Sequence, residues 1–178
     1  MPEIHIRPAI STDIPKLINL DHHYTTDYVW QMTLESQELE TSVLFREVRL
    51  PRSVEVRYPR DPETLADTWT ARDVVLVAEN SQGPLGYISL EEGITPWGTW
   101  VRDLVVDRMI RQKGIGSALL LSAQEWCETR HIHRLTLEMQ PKNYPAIQFA
   151  YKLGFDFCGY NDQYYHNQDI ALFFSLYF

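Results

Sequence analysis

The stretch from Leu104 to Leu121, LVVDRMIRQKGIGSALLL, carries the residues best suited to chemistry. It sets an apolar strand and a loop with basic Arg108, Arg111 and Lys113 ahead of a helical pattern that opens on Gly114 and Gly116. Amides at the start of a helix lack intrahelical partners and carry the positive end of its dipole, so such a loop can receive an anion. Glycines there let a diphosphate approach the backbone closely. The bland alternative is that the glycines serve only a turn. Two nucleotide patterns are excluded: GxxxxGK[ST] is absent, and GxGxxG fails at its third glycine, where Leu119 stands. No metal is expected. Cys127 and Cys158 form no CxxC pair, and no two histidines sit at i, i+4 beside a carboxylate.

The chain that must position these residues has 178 of them, 44% hydrophobic and 22% charged, the composition of one globular domain expected to span 1–178 and to fold without staples. Sixteen basic residues against twenty-four acidic ones give a net charge of −8. That balance repels nucleic acid and anionic lipid and steers a cationic small molecule or peptide inward. No run approaches the ~20 apolar residues of a membrane span, and MPEIHIRPAI lacks a charged leader. A reduced, cytoplasmic compartment is the expectation.

Alternation over residues 3–9 predicts a first strand, and Ser11, Thr12 and Asp13 with Pro15 predict a helix start ahead of IPKLINLDHH. From 28 to 58 the apolar residues recur with period two, which predicts a hairpin of long strands. A short helix over 60–72 leads to DVVLVAE, a buried strand with the unbroken apolar run VVLVA, and the turn NSQGP folds LGYISLEE back on it. TPWG precedes the strand TWVRDLVVD, the glycine loop, and a helix over 117–130 whose core face is read as Ile115, Leu119, Ser122 and Trp126, flanked by Ala118 and Leu121. RLTLEM, a helix over 145–153 and strands over 155–160 and 169–178 close the chain. The fold class is α/β in the mixed α+β sense: a central mixed sheet flanked by helices, with an extra hairpin near the N-terminal third and a right-handed crossover at the glycine loop.

On these residues the chain resembles the GNAT superfamily of acyl-CoA-dependent N-acyltransferases. Arg111-Gln112-Lys113-Gly114-Ile115-Gly116 matches its R/Q-x-x-G-x-G/A pyrophosphate loop, following an L-x-V strand. Asn143, Ala146, Phe149, Lys152, Gly154 and Phe155 fit its N-x-x-A-x-x-F-Y-x-K-x-G-F segment at every position but one. The similarity covers residues 73–178 and, loosely, the first strand and helix. GYNDQYY and DIALFFSLYF at the end are similar to the streptothricin acetyltransferase subgroup. The resemblance implies acetyl-CoA as cosubstrate and a V-shaped opening between the strands at 100–106 and 134–139, into which pantetheine inserts like an added strand. Main-chain groups of Leu104, Val105 and Val106 would bond the pantetheine. Amides of Gln112, Lys113, Gly114, Ile115, Gly116 and Ser117 would hold the diphosphate, with Arg111 adding charge. Asn143 would bond the pantetheine arm or, equally, only cap the helix YPAIQFAYKL.

Acylating an amine requires a group to take the ammonium proton and benefits from an acid for the leaving thiolate. The family's usual base positions are Trp100 and Arg102 here. Asp103 is adjacent but on the opposite face of a regular strand, and serves only if a bulge or a water bridges the gap. Glu138, Glu91 and Glu92 are alternatives, each also readable as an exposed or ion-paired carboxylate. Where the family places a Tyr after Phe149 this chain has Ala150, and Tyr151 lies about 100° further round the helix. Tyr151 is the candidate acid beside Tyr160, Tyr164 and solvent. The expected reaction is acetyl transfer from acetyl-CoA to a primary amine of a small cationic acceptor. A peptide or protein amine, or an acyl-CoA-binding module without turnover, are the alternatives. The 28–58 insert either walls the acceptor site or builds a homodimer interface.

Overall fold

In the computed structural model, which describes residues 4–178, the chain runs β1 (His5–Pro8), α1 (Ile14–Ile18), β2 (Tyr24–Gln37), β3 (Glu40–Val56), α2 (Leu65–Thr68, between 3₁₀ turns), β4 (Val74–Asn80), β5 (Gly83–Thr95), β6 (Gly98–Val106), α3 (Ile115–Thr129), β7 (Arg134–Met139), α4 (Tyr144–Lys152), β8 (Asp156–Asn161) and β9 (Ala171–Tyr177). Seven strands form one sheet in the order β1-β4-β5-β6-β7-β9-β8, and β2 and β3 form a separate hairpin. Only β6 and β7, joined through α3, are parallel neighbours. This is the mixed sheet expected. Glu3, assigned from the pattern to the first strand, lies outside the described residues.

The sheet is covered on both faces because β4 is apolar at consecutive positions. Val75 and Val77 pack with Leu17, Leu65, Tyr87 and Val105 beneath α1 and α2. Leu76 and Ala78 pack with Ile88, Leu119, Leu135 and Ile147 beneath α3 and α4. The core face of α3 differs from the one expected: it is Ile115, Leu119, Leu120, Ala123 and Cys127, while Leu121 is 57% exposed. Trp126 is turned to the edge of that face, under the Arg130 guanidinium, whose carbon lies 4.9 Å from the ring centre. No described helix is long and apolar enough to cross a membrane.

Helix α1 is shorter than its sequence pattern, ending where the Asn19 amide group donates to the Pro15 carbonyl (2.7 Å). Asp13 occupies the cap position without capping through its side chain. Its carboxylate accepts from both terminal nitrogens of Arg7 (2.6 and 3.0 Å) and from the Ile10 amide (2.9 Å), and Arg7 also grips Glu79 on β4 (2.7 and 2.8 Å). The hydrogen bonds from Arg7 hold the Asp13 carboxyl below the usual carboxylate range. A depressed folded value means that the stabilisation is complete above the unfolded value of about 4 and is lost as the pH falls through the folded one. Thermal melts between about pH 6 and 3 should therefore show a falling Tm at the acid end that Asp13→Asn flattens. An unchanged slope would contradict the linkage.

Strand β5 lies so close to β6 that Gly86 admits no side chain: a Cβ there would meet the Val105 carbonyl oxygen at 2.5 Å and the Val106 Cα at 3.1 Å. Gly86→Ala should cost roughly 1–3 kcal/mol of unfolding free energy in a urea titration, the scale of an overpacked core.

The root of the hairpin spans the molecule from the loop after β6 to the turn before α4. Arg108 donates to Thr25 (2.8 Å) and Glu55 (3.0 Å), and the Trp30 amide donates to the Pro141 carbonyl (2.9 Å). The Trp30 ring packs among Phe45, Tyr151, Phe157 and Phe174. The far end, with Leu34, Leu39 and Leu44, is exposed.

Candidate active site

Strands β6 and β7 pair at three rungs only, Thr99 with Leu135, Trp100 with Thr136 and Val101 with Leu137, and part beyond them. The resulting cleft has β6 as one edge. The Asp107 amide donates to the Leu85 carbonyl (2.9 Å). In the antiparallel register of β5 and β6 that bond fixes the alternation: Asp103 and Val105 turn their main-chain groups toward β5, and Leu104 and Val106 turn theirs to the cleft. Val105 therefore differs from its neighbours and offers the cleft no main-chain group. The Val106 carbonyl is also taken, by Nε of Arg111 (2.8 Å). Leu104 and the Val106 amide make up the open edge.

The loop after β6 turns through left-handed backbone at Gln112 (φ 63°) and Gly114 (φ 84°). The first bond of α3 runs from the Ala118 amide to the Gly114 carbonyl (3.0 Å), so the amides of Ile115, Gly116 and Ser117 are those a helix leaves unpaired. Gly116 is small for a packing reason as well, since a Cβ there would meet the Phe149 ring at 3.3 Å and Val106 at 3.8 Å. Arg111 keeps its charge beside the loop, but it is held there by main-chain carbonyls. Besides Val106, its guanidinium donates to the carbonyls of His23 (2.7 Å) and Asp21 (2.9 Å), and it clamps the loop to the segment before β2. Lys113 is exposed beside the free amides. Asn143 caps α4, its side-chain oxygen accepting from the Ala146 amide (3.2 Å).

On the α1–α2 face a polar cluster closes the vertex of the cleft. Ser89 faces Asp103 across the β5–β6 ladder while Leu90 faces Val101, so Arg102 is an extra residue and β6 is bulged there. The bulge resolves the strand-alternation objection. Val101 faces the α3 core, yet Asp103 shares the opposite face with Val105 and Ser89. Its carboxylate, in a residue 8% exposed, accepts from the Tyr58 hydroxyl (2.7 Å) and the Ser89 hydroxyl (2.7 Å). Burial, and then the Asp103 charge, push the Tyr58 phenol well above its ordinary value, so Tyr58 remains a donor.

The other carboxylates are held by guanidinium groups. Glu138 has a fully buried side chain between Arg60 and Arg102 (3.2 Å) and also accepts from the Tyr164 hydroxyl (2.9 Å). Glu91 is paired with Arg72 (2.7 Å) and Arg102 (3.2 Å), and Glu92 with Arg130. Among these four, Asp103 has hydroxyl partners instead. Nearby His22 is pushed down by burial and is neutral at neutral pH. Its Nδ1 contacts the Leu20 carbonyl (2.7 Å), which can only accept, so that nitrogen carries the proton and Nε2 accepts from the Tyr87 hydroxyl (3.2 Å).

Tyr151 does not join this cluster. Its ring lies against Trp30 and Phe174 (centroids 6.1 and 5.3 Å), on the α3–α4 side of the sheet, as its offset on the helix dictates. Tyr58, Ser89 and Arg60 were missed by sequence reasoning. Ser89 left a signal, a small polar residue in the otherwise apolar and aromatic run LGYISL; Tyr58 and Arg60 left none. No group of three His, Cys, Asp or Glu among the described residues could hold a metal ion.

A mixed sheet split between two parallel strands, with a loop of unpaired amides at one end and a polar cluster at the vertex, is the architecture of an acetyltransferase. The chain matches the acetyltransferase (GNAT) family over residues 38–155 and belongs to it. It is 27% identical over 164 residues to the streptothricin acetyltransferase of Streptomyces lavendulae, covering 89% of this chain and 85% of that protein. A crystal structure of nourseothricin acetyltransferase superposes with a TM-score of 0.84 at 25% identity, over 98% of both chains. A Bacillus anthracis str. Ames protein of the streptothricin acetyltransferase kind, solved with acetyl coenzyme A, superposes with a TM-score of 0.78 at 20% identity, over 99% of this chain and 100% of that one.

Proposed function

We propose that residues 1–178 form one catalytic domain that transfers the acetyl group of acetyl-CoA to a primary amine of a small cationic molecule, by direct attack in a ternary complex. The observation that carries the reading is the Asp103 carboxylate, turned by the bulge to the vertex of the cleft and bonded to two neutral hydroxyls. The amides of residues 112–117 fit a diphosphate, Lys113 adds charge beside them, and Leu104 with the Val106 amide fits the pantetheine amides. Acetyl-CoA would supply the thioester. Asp103 takes the proton that the ammonium must lose; the amine nitrogen then forms the C–N bond, and as the C–S bond breaks that nitrogen gives up a second proton to solvent while the thiolate takes one up from it. Glu138, enclosed between two guanidinium groups, suits a positioning role better than proton removal. Asn143 acts as a helix cap.

The acceptor class is supported by the net charge of −8 and by the likeness to streptothricin and nourseothricin acetyltransferases. The test is acetyl-CoA-dependent thiol release with streptothricin, a lysine-bearing peptide and simple diamines, with products read by mass spectrometry. Acetylated streptothricin supports the proposal. Turnover of the peptide alone would move the acceptor to proteins, and acetyl-CoA binding with no turnover of any amine would make the chain a binding module.

A further inference from the structure

Arg60 sits on the short segment between β3 and α2, with its side chain 20% exposed. One terminal nitrogen donates to the Arg102 carbonyl (2.8 Å), and the other is paired with Glu138. Its guanidinium carbon lies 5.4 Å from the centre of the Tyr165 ring. The last rung joining the two strands is Val101 with Leu137, so Arg102 and Glu138 are the next residues on each. A single side chain therefore spans the vertex at the first position where the strands no longer hold one another. The carbonyl it takes belongs to the extra residue of the bulge.

We infer that Arg60 is a positioning residue: a strut across the vertex that locks the bulge at Arg102 and thereby aims the Asp103 carboxylate, without touching either substrate. The inference rests on the reading of Asp103 as the base. Its physical ground is that strand side chains alternate, so relaxation of the bulge by one residue would carry Asp103 to the other face of the sheet. The two arms use different terminal nitrogens of one planar fork; a lysine ammonium is a single nitrogen without that fixed spacing and serves the pair less well. Arg102, which also reaches Glu138, starts from β6 itself and cannot hold its own carbonyl.

The test is a double-mutant cycle of Arg60→Gln and Asp103→Asn on the full chain, with Arg60→Lys run in parallel in case the Gln variant folds poorly. Acetyl-CoA affinity is read by calorimetry, and kcat and KM by thiol release with an acceptor that the wild type turns over. Arg60→Gln should lower kcat by about 10–100-fold with acetyl-CoA affinity within about threefold of wild type, Arg60→Lys should recover only part of the loss, and in the Asp103→Asn background the extra loss should be under about twofold. Additive losses, or a wild-type kcat for Arg60→Gln, would overturn the strut while leaving the base in place. A wild-type kcat for Asp103→Asn would overturn both. A wild type that binds acetyl-CoA but acetylates no amine would remove the proposed function, and the inference with it.

Discussion

Asp103→Asn is expected to lower kcat for acetyl transfer by about 10²–10⁴-fold, the usual contribution of a general base, with acetyl-CoA affinity nearly unchanged. The asymmetry follows from position. Asp103 turns its main-chain groups to β5 and its carboxylate to the face of Tyr58 and Ser89, whereas the groups suited to the cosubstrate lie on Leu104, Val106 and the loop. The amide keeps the shape, and a hydroxyl can turn its proton away so that its oxygen accepts the new N–H, so the fold should survive; a thermal melt checks this. Tyr58→Phe and Ser89→Ala each remove one donor and should cost less than the Asn variant. A full loss of affinity for acetyl-CoA in Asp103→Asn would instead indicate that the cleft had collapsed.

Gly114→Glu is the second large effect, expected to weaken acetyl-CoA binding by about 100-fold or more through two independent causes. Backbone at φ 84° disfavours any side chain, and a carboxylate at the start of α3 would occupy the positive potential proposed to receive the diphosphate. Gly114→Ala separates the causes. A Cβ there meets nothing within 4 Å, so alanine carries only the backbone strain, roughly 1–2 kcal/mol, and should bind much better than the Glu variant. Calorimetry with both variants reads the difference directly. Equal losses would mean that loop conformation matters and charge does not.

The elements legible in the sequence were those specified by local physics. Period-two alternation marked the long hairpin, the unbroken apolar run VVLVA within DVVLVAE marked a strand covered on both faces, and glycines ahead of a helical pattern marked the loop of free amides. The misreadings came where distant segments decide. Arg111 in a basic loop reads as an anion ligand, but tertiary folding also brings it the carbonyls of Asp21 and His23, and with Val106 they take three of its five N–H donors, a clamp that the loop sequence does not announce. The bulge that redirects Asp103 depends on register with β5, which no pattern within TWVRDLVV records. Arg60 and Tyr58 reach the vertex from the segment after the hairpin, and nothing in their own neighbourhood announces it. On α3 the buried face lies toward Leu120 and Ala123, with Trp126 at its edge. Tyr151, one residue past the family's position, faces the hairpin for the same geometric reason that made its offset suspect.

The most direct test of the central claim is steady-state thiol release from acetyl-CoA with streptothricin as acceptor, wild type beside Asp103→Asn, with the product analysed by mass spectrometry. The expected result is saturable turnover by the wild type, a single acetyl group on an acceptor amine, and a loss of about two orders of magnitude or more in kcat for the variant. Turnover undiminished in Asp103→Asn would contradict the assignment of the base. Tight acetyl-CoA binding without acetylation of streptothricin or any other amine would contradict the enzyme itself.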